Sequence, residues 1–162
     1  MENQKKVWTE QDKWSALIPV AVFSNSKQRE LIGFILVKET RGNRGIKPYW
    51  KYCGGKRKAG ESHPSITALR ELREETGLIL SLDTLIEIDT RWQKNYNGGH
   101  WVITYLAHIF ECDVHKINSE EIGNQGEVPK YFSVLEKKEL ITYNKFLRHH
   151  LSRAKLIIDE LQ

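Results

Sequence analysis

Apolar and polar positions divide this chain into a strand-rich first part and a helical end. Ala16 to Ser24 and Leu31 to Lys38 are dense in Val, Ile, Leu and Phe and predict strands, with polar Asn25 to Arg29 as a hairpin connection. Residues 40–48, TRGNRGIKP, form a Gly- and Arg-rich loop that leads into Tyr49-Trp50-Lys51-Tyr52. Ile66, Leu69 and Leu72-Arg73 trace the buried side of a helix. Further strands are predicted at Leu85 to Trp92 and Trp101 to Cys112, around the polar turn KNYNGGH, and a short one at Lys130 to Val134. Leu147, Leu151, Ala154, Ile158 and Leu161 stand three or four apart, the stripe of a C-terminal helix facing a core. With 162 residues and no internal repeat or linker, the pattern implies one α/β (α+β) domain over residues 1–162.

The chemistry concentrates in residues 54–78, GGKRKAGESHPSITALRELREETGL. Glu71, Glu74 and Glu75 fall at i, i+3 and i+4, which puts three carboxylates on one helix face, opposite the apolar stripe. Like charges so close raise one another's pKa unless a cation sits among them. Oxygen ligands of high charge suit a hard divalent ion such as Mg²⁺. A plainer alternative is a solvated helix face, on which Arg70–Glu74 is an ordinary i,i+4 ion pair. The flanks weigh against it. Gly54-Gly55 lets the backbone approach a ligand closely, and Gly77 closes the helix just after Thr76.

Gly55, Glu61, Arg70, Glu71, Leu72, Glu74, Glu75, Gly77 and Leu78 together resemble the Nudix box, G-x5-E-x7-R-E-U-x-E-E-x-G-U, with U a bulky aliphatic. One departure is plain: eight residues, Ser62 to Leu69, separate Glu61 from Arg70 where the family has seven. Pro64 suits a helix's first turn, so the added residue is placed ahead of the regular helix, where it bears on Glu61. The resemblance implies a Nudix-like α/β/α sandwich, a mixed sheet between helices. It implies hydrolysis of a pyrophosphate bond in a nucleoside diphosphate joined to another group, with Mg²⁺ as cofactor and Mn²⁺ able to replace it. Glu74 and Glu75 are the implied metal ligands, Glu71 a ligand or a water-mediated partner, and the Gly55 carbonyl a further implied ligand. The resemblance further implies that Glu61 supports the metal shell and that Arg70 positions the carboxylates. Many members draw a further acid, often the base, from a loop after the box. Here Glu120, Glu121 and Glu127 are the candidates, Glu127 favoured because it precedes the Tyr131-Phe132 strand; each is equally well read as a solvated loop acid.

The net charge of +4 is modest. Arg41, Arg44, Lys47, Lys56, Arg57 and Lys58 flank the glycine pair, as a cradle for polyphosphate or as solvated loop residues. Arg41, Lys56 and Arg57 are the candidate substrate contacts. Tyr96 joins them, since dinucleoside polyphosphate hydrolases of the family often place a tyrosine near that distance past the box; an ordinary turn tyrosine is the alternative. Trp50, Tyr52, Trp92 and Trp101 either stack on a base or fill the core. The charge is too small and scattered for duplex nucleic acid. Cys53 and Cys112 are too far apart for a CxxC motif and are read as two reduced, buried thiols of a cytoplasmic protein. The longest apolar run, Leu17 to Phe23, is too short to span a membrane, and MENQKKVWTEQDKW has no apolar signal core.

Gln93 and Lys94 stand where some ADP-ribose hydrolases carry a proline, and no coenzyme A hydrolase signature is visible in residues 31–55. Oligomeric state stays open, a homodimer being one option. Two readings remain: a Mg²⁺-dependent nucleotide hydrolase, and a Nudix-like nucleotide-binding or regulatory domain that does not cleave. The intact Arg70-Glu71 and Glu74-Glu75 pairs favour the enzyme.

Overall fold

The computed structural model describes residues 6–39, 50–117 and 126–133. Strands β1 (Trp14–Ile18) and β2 (Val20–Phe23) form one extended run interrupted at Pro19. Proline has no N–H to give to a ladder, so it splits the strand that the apolar pattern predicts as continuous. Its carbonyl still accepts the Ala107 N–H at 3.0 Å, and β7 (His100–Phe110) stays paired in parallel with both pieces. On the other edge the pieces diverge. β1 pairs antiparallel with β5 (Cys53–Lys56), and β2 pairs antiparallel with β3 (Leu31–Glu39). β4 (Trp50–Lys51) and β8 (Glu127–Ser133) join β3, while β6 (Leu85–Gln93) joins β7. Among the described residues this is a mixed, eight-stranded sheet.

Both faces of the sheet carry buried clusters. On one, Trp14, Ile18, Val22, Ile35 and Ile103 pack with Ala68 and Leu72 of helix α1 (Pro64–Thr76). On the other, Phe34, Leu36, Tyr52, Leu106 and Phe132 pack together. The fold is α+β. α1 starts with Pro64 in its first turn, behind an extended His63 cap whose Nδ1 accepts the Ser65 N–H at 3.2 Å. It ends on left-handed Gly77 (φ 79°), whose N–H reaches the Arg73 carbonyl at 3.0 Å. Between these caps the helix is unbroken, and Glu61 to His63 lie ahead of it.

Several expectations are corrected. The buried side of α1 is Pro64, Thr67, Ala68, Leu72, Glu75 and Thr76; Ile66 is 41% exposed and Arg73 is exposed. Glu75 therefore lies on the packing face, not opposite it. Cys112 is exposed, and only Cys53 is a buried thiol. The strand from Trp101 ends at Phe110, where a 3₁₀ turn (Glu111–Lys116) takes over, and the last described strand begins at Glu127 rather than Lys130. The C-terminal helix, the loop over 40–48 and the strand's continuation to Val134 lie outside the described residues. Among the described residues no helix is long and apolar enough to cross a membrane.

Candidate active site

Two glycines on β5 seat two glutamates of α1. A Cβ at Gly55 would stand 2.2 Å from Glu71 Oε1, so only a residue without a side chain lets that carboxylate lie against the strand. One residue earlier, the Gly54 N–H donates to Glu75 Oε2 at 3.0 Å. Glu71 and Glu75 are one helical turn apart, which matches them to this glycine pair. Burial dominates the Glu75 carboxyl and, despite relief from Lys51 and the Gly54 N–H, holds its pKa up at about 7. Burial also raises Glu71 against the pull of Arg70. Burial, with the nearby Glu75 charge, pushes the Cys53 thiol up as well.

The cation among these carboxylates is Arg70. Its Nε donates to Glu61 Oε1 at 2.5 Å, and its Nη1 to Glu71 Oε1 at 2.6 Å and Glu74 Oε2 at 3.0 Å. Its Nη2 donates to the Lys56 carbonyl at 2.9 Å, which ties the network to β5. Lys58 Nζ adds a second cation 2.9 Å from Glu74 Oε1. The i,i+4 pair Arg70–Glu74 is thus one limb of a larger array. Burial works against the Glu61 charge, but bonds from Arg70, Thr67 and the Lys58 N–H outweigh it and hold that carboxyl below its ordinary range. Glu74 is lowered likewise: Lys58 and Arg70 overcome the effect of burial.

The structure therefore gathers Gly55, Glu61, Arg70, Glu71, Glu74 and Glu75 at one junction of β5, loop and α1. Arg57 sits in the same loop with a different task. Its Nη1 donates to the carbonyls of Thr9 (3.2 Å), Glu10 (2.8 Å) and Asp12 (2.9 Å), and its Nε to the Glu61 carbonyl at 2.9 Å. The guanidinium also lies 4.1 Å from the Trp14 ring centroid. This clamp gives Arg57 a structural post, and the residue also lines the cleft beside the loop. The Lys56 side chain is exposed, and Tyr96 stands in solvent on the turn between β6 and β7. Glu127 is buried at the head of β8, opposite Glu39 in register, and β8 packs against α1. Arg41, Glu120 and Glu121 lie outside the described residues. Of the aromatics, Tyr52 is core, Trp50 packs edge-on to Phe132, and Trp92 edge-on to Trp101. Sequence reasoning missed Thr67, the Gly54 N–H and Lys58 as a partner of Glu74. The glycine pair was a signal for the second; the other two depend on how the loop folds back.

An open cleft of about 770 Å³ adjoins the loop, lined among others by Lys13, Trp14, Lys56, Lys58, Glu61 and His100. That volume accommodates a nucleotide-sized ligand. Carboxylates and a glycine carbonyl suit a hard divalent cation, and a cation would relieve the buried, proton-holding Glu75. Among the described residues no three His, Cys, Asp or Glu side chains converge on one point. Arg70 Nη1 draws both Glu71 and Glu74 to itself. The donors fit such an ion in kind, and Arg70 occupies one oxygen of each of Glu71 and Glu74.

The sequence matches the NUDIX domain family over residues 16–157. A comparison with curated proteins gives no match. Among solved structures the chain is similar to a mutT/nudix family protein from Listeria innocua, with TM-score 0.60 and 19% identity over 92% of this chain and 95% of that one. It is similar to the C. elegans Ap4A hydrolase in a binary complex, with TM-score 0.58 and 14% identity over 91% and 96%. A MutT/nudix family protein from Enterococcus faecalis gives TM-score 0.58 and 19% identity, over 80% of this chain and 47% of that one. At these identities the likeness is one of fold.

Proposed function

The chain belongs to the NUDIX family, and from that premise we propose that it hydrolyses a pyrophosphate bond in a nucleoside diphosphate linked to another group. Nucleoside triphosphates and dinucleoside polyphosphates are the substrate types assigned, with Mg²⁺ as cofactor. One observation carries the reading: Glu71 and Glu75 are seated on Gly55 and Gly54 with Glu74 beside them, an acidic cluster that a cation would stabilise.

Glu71, Glu74, Glu75 and the Gly55 carbonyl would hold Mg²⁺, or Mn²⁺ in its place. When bound, the ion supplies neutralisation of the diphosphate oxygens and a coordinated water of lowered pKa. The protein's own residues prepare the site. Glu75 would serve as a ligand in its carboxylate form, so the proton that burial favours would pass to solvent. Arg70 keeps Glu61 and Glu74 ionised and aligned. Lys56 and Lys58 place ammonium groups on the rim of the cleft, and Lys58 is free to exchange Glu74 for a phosphate oxygen. Glu127 is assigned as the further acid, and Arg41 and Tyr96 as contacts to the remote part of the substrate. A single domain over residues 1–162, in a reducing cytoplasmic setting, belongs to the same reading.

A second reading has its own support. Arg70 and Lys58 already neutralise Glu71 and Glu74 within the protein, as a domain that binds nucleotide without cleaving it would allow. A nucleotide panel incubated with and without Mg²⁺ separates the two. Release of phosphate, pyrophosphate or mononucleotide that requires Mg²⁺ supports the hydrolase. Tight binding of a nucleotide that stays intact supports the binder.

A further inference from the structure

We infer that Thr67 and Trp14 are positioning residues: a buried relay from β1 through α1 sets the stance of Glu61 and Arg70. The inference rests on the catalytic reading of that site. Trp14 Nε1 donates to Thr67 Oγ1 at 2.8 Å, and the same hydroxyl donates to Glu61 Oε2 at 2.6 Å. All three residues are buried, Trp14 at 2% exposure and Glu61 at 7%. A threonine hydroxyl has one proton, so accepting the indole N–H leaves that proton for Glu61. The Lys58 N–H reaches the same carboxylate oxygen at 2.8 Å. With Oε2 pinned twice, Oε1 faces Arg70 Nε, and Arg70 carries the alignment on to Glu71 and Glu74.

Thr67 is not behaving as helix threonines ordinarily do. Within the same helix Thr76 bonds back to the Leu72 carbonyl at 2.6 Å, the usual local choice. Thr67 instead joins a strand donor to a loop acid, linking residues 53 and 6 positions apart in the chain.

The outer end of the relay is anchored by the segment before β1. Trp14 is covered by the Arg57 guanidinium and meets Trp8 edge-on at 5.3 Å between centroids. Arg57 bonds the carbonyls of Thr9, Glu10 and Asp12 with one nitrogen and the Glu61 carbonyl with another. Glu61 is therefore fastened to residues 9–14 twice, by its side chain through Thr67 to Trp14 and by its backbone through Arg57 to the three carbonyls. Trp14 and the three carbonyls precede residue 16, where the family match begins, so the family pattern does not account for them.

Three variants test the relay: Thr67→Val removes the hydroxyl at constant shape, Thr67→Ser keeps it, and Trp14→Phe removes the indole donor. Each is assayed for kcat and KM on the nucleotide that the panel selects, and for the Arg70 Nε–H signal by ¹⁵N NMR without substrate. Thr67→Val is expected to lower kcat about 10–100-fold at little-changed KM, with a shifted and faster-exchanging Arg70 signal. Thr67→Ser should stay close to wild type, and Trp14→Phe should fall between. Wild-type kcat in Thr67→Val, or equal losses in the Val and Ser variants, would overturn the relay. If Trp14→Phe fails to fold, the Thr67 pair decides alone. A wild-type protein that cleaves no nucleotide sinks the proposed function, and the NMR signal then judges the relay by itself: unchanged in Thr67→Val refutes it, shifted upholds it.

Discussion

Replacing Glu75 with Gln should stabilise the metal-free protein above neutral pH while abolishing its response to Mg²⁺. Glu75 is 4% exposed, and burial lifts its pKa from 4.5 to about 7. An acid whose folded pKa exceeds its unfolded value binds its proton more tightly when folded. Its contribution to stability is whole below about pH 4.5, declines as pH rises, and is gone above about pH 7. At 1.36 kcal/mol per pH unit, that gap is worth about 3 kcal/mol. Gln keeps the volume and an oxygen for the Gly54 N–H, and it never ionises. Glu75→Gln should match wild type at the acid end of that window and exceed it by up to about 3 kcal/mol above its alkaline end. Mg²⁺ should reverse the order, because only the wild type gains a charged ligand. Proton release should make wild-type Mg²⁺ affinity climb with pH until about 7. Urea unfolding across this range, in EDTA and in Mg²⁺, reads both effects. A wild type at least as stable as Glu75→Gln in EDTA at mildly alkaline pH would refute the reasoning.

Three further outcomes follow from the geometry. Gly55→Ala puts a methyl group 2.2 Å from Glu71 Oε1, so the carboxylate must move and hydrolysis should fall about tenfold or more, which steady-state kinetics would show. Single Ala substitutions at Glu120, Glu121 and Glu127 should leave two active proteins and one crippled, Glu127→Ala; three normal rates would move the base elsewhere, with Glu61 next in line. Exposed Cys112 should react with a thiol reagent in the native state and buried Cys53 only on unfolding, read by mass spectrometry; two equally fast cysteines would contradict the packing.

The fold and the centre of the site were legible for different reasons. Pro64 and Gly77 punctuate α1 so strongly that its limits can be read from the chain, and β-branched runs mark the strands. The face of α1 was misjudged because the apolar pattern counts Ile66 and overlooks Thr67 and Thr76, whose hydroxyls are satisfied internally and so tolerate burial. Glu75 was placed opposite the core for a related reason: nothing in a helical wheel shows that β5 offers it a glycine N–H. The role of Arg57 was out of reach, since its clamp joins carbonyls 45 to 48 positions away and depends on the tertiary fold. Pro19 was in plain view, but a run of apolar residues on both sides outweighed it.

In the proposed function, Glu71, Glu74 and Glu75 bind the ion that drives nucleotide hydrolysis. The most direct measurement is the hydrolysis rate as a function of Mg²⁺ for wild type and Glu74→Gln, side by side. Glu74 has a side chain 37% exposed and, among the described residues, held only by Lys58 and Arg70, so the substitution should leave the fold intact by circular dichroism. No turnover is expected in EDTA, with a saturable rise with Mg²⁺ in wild type and a loss of orders of magnitude in the variant at every Mg²⁺ concentration. Near-normal turnover by a well-folded Glu74→Gln protein, or wild-type hydrolysis indifferent to Mg²⁺, would contradict that function.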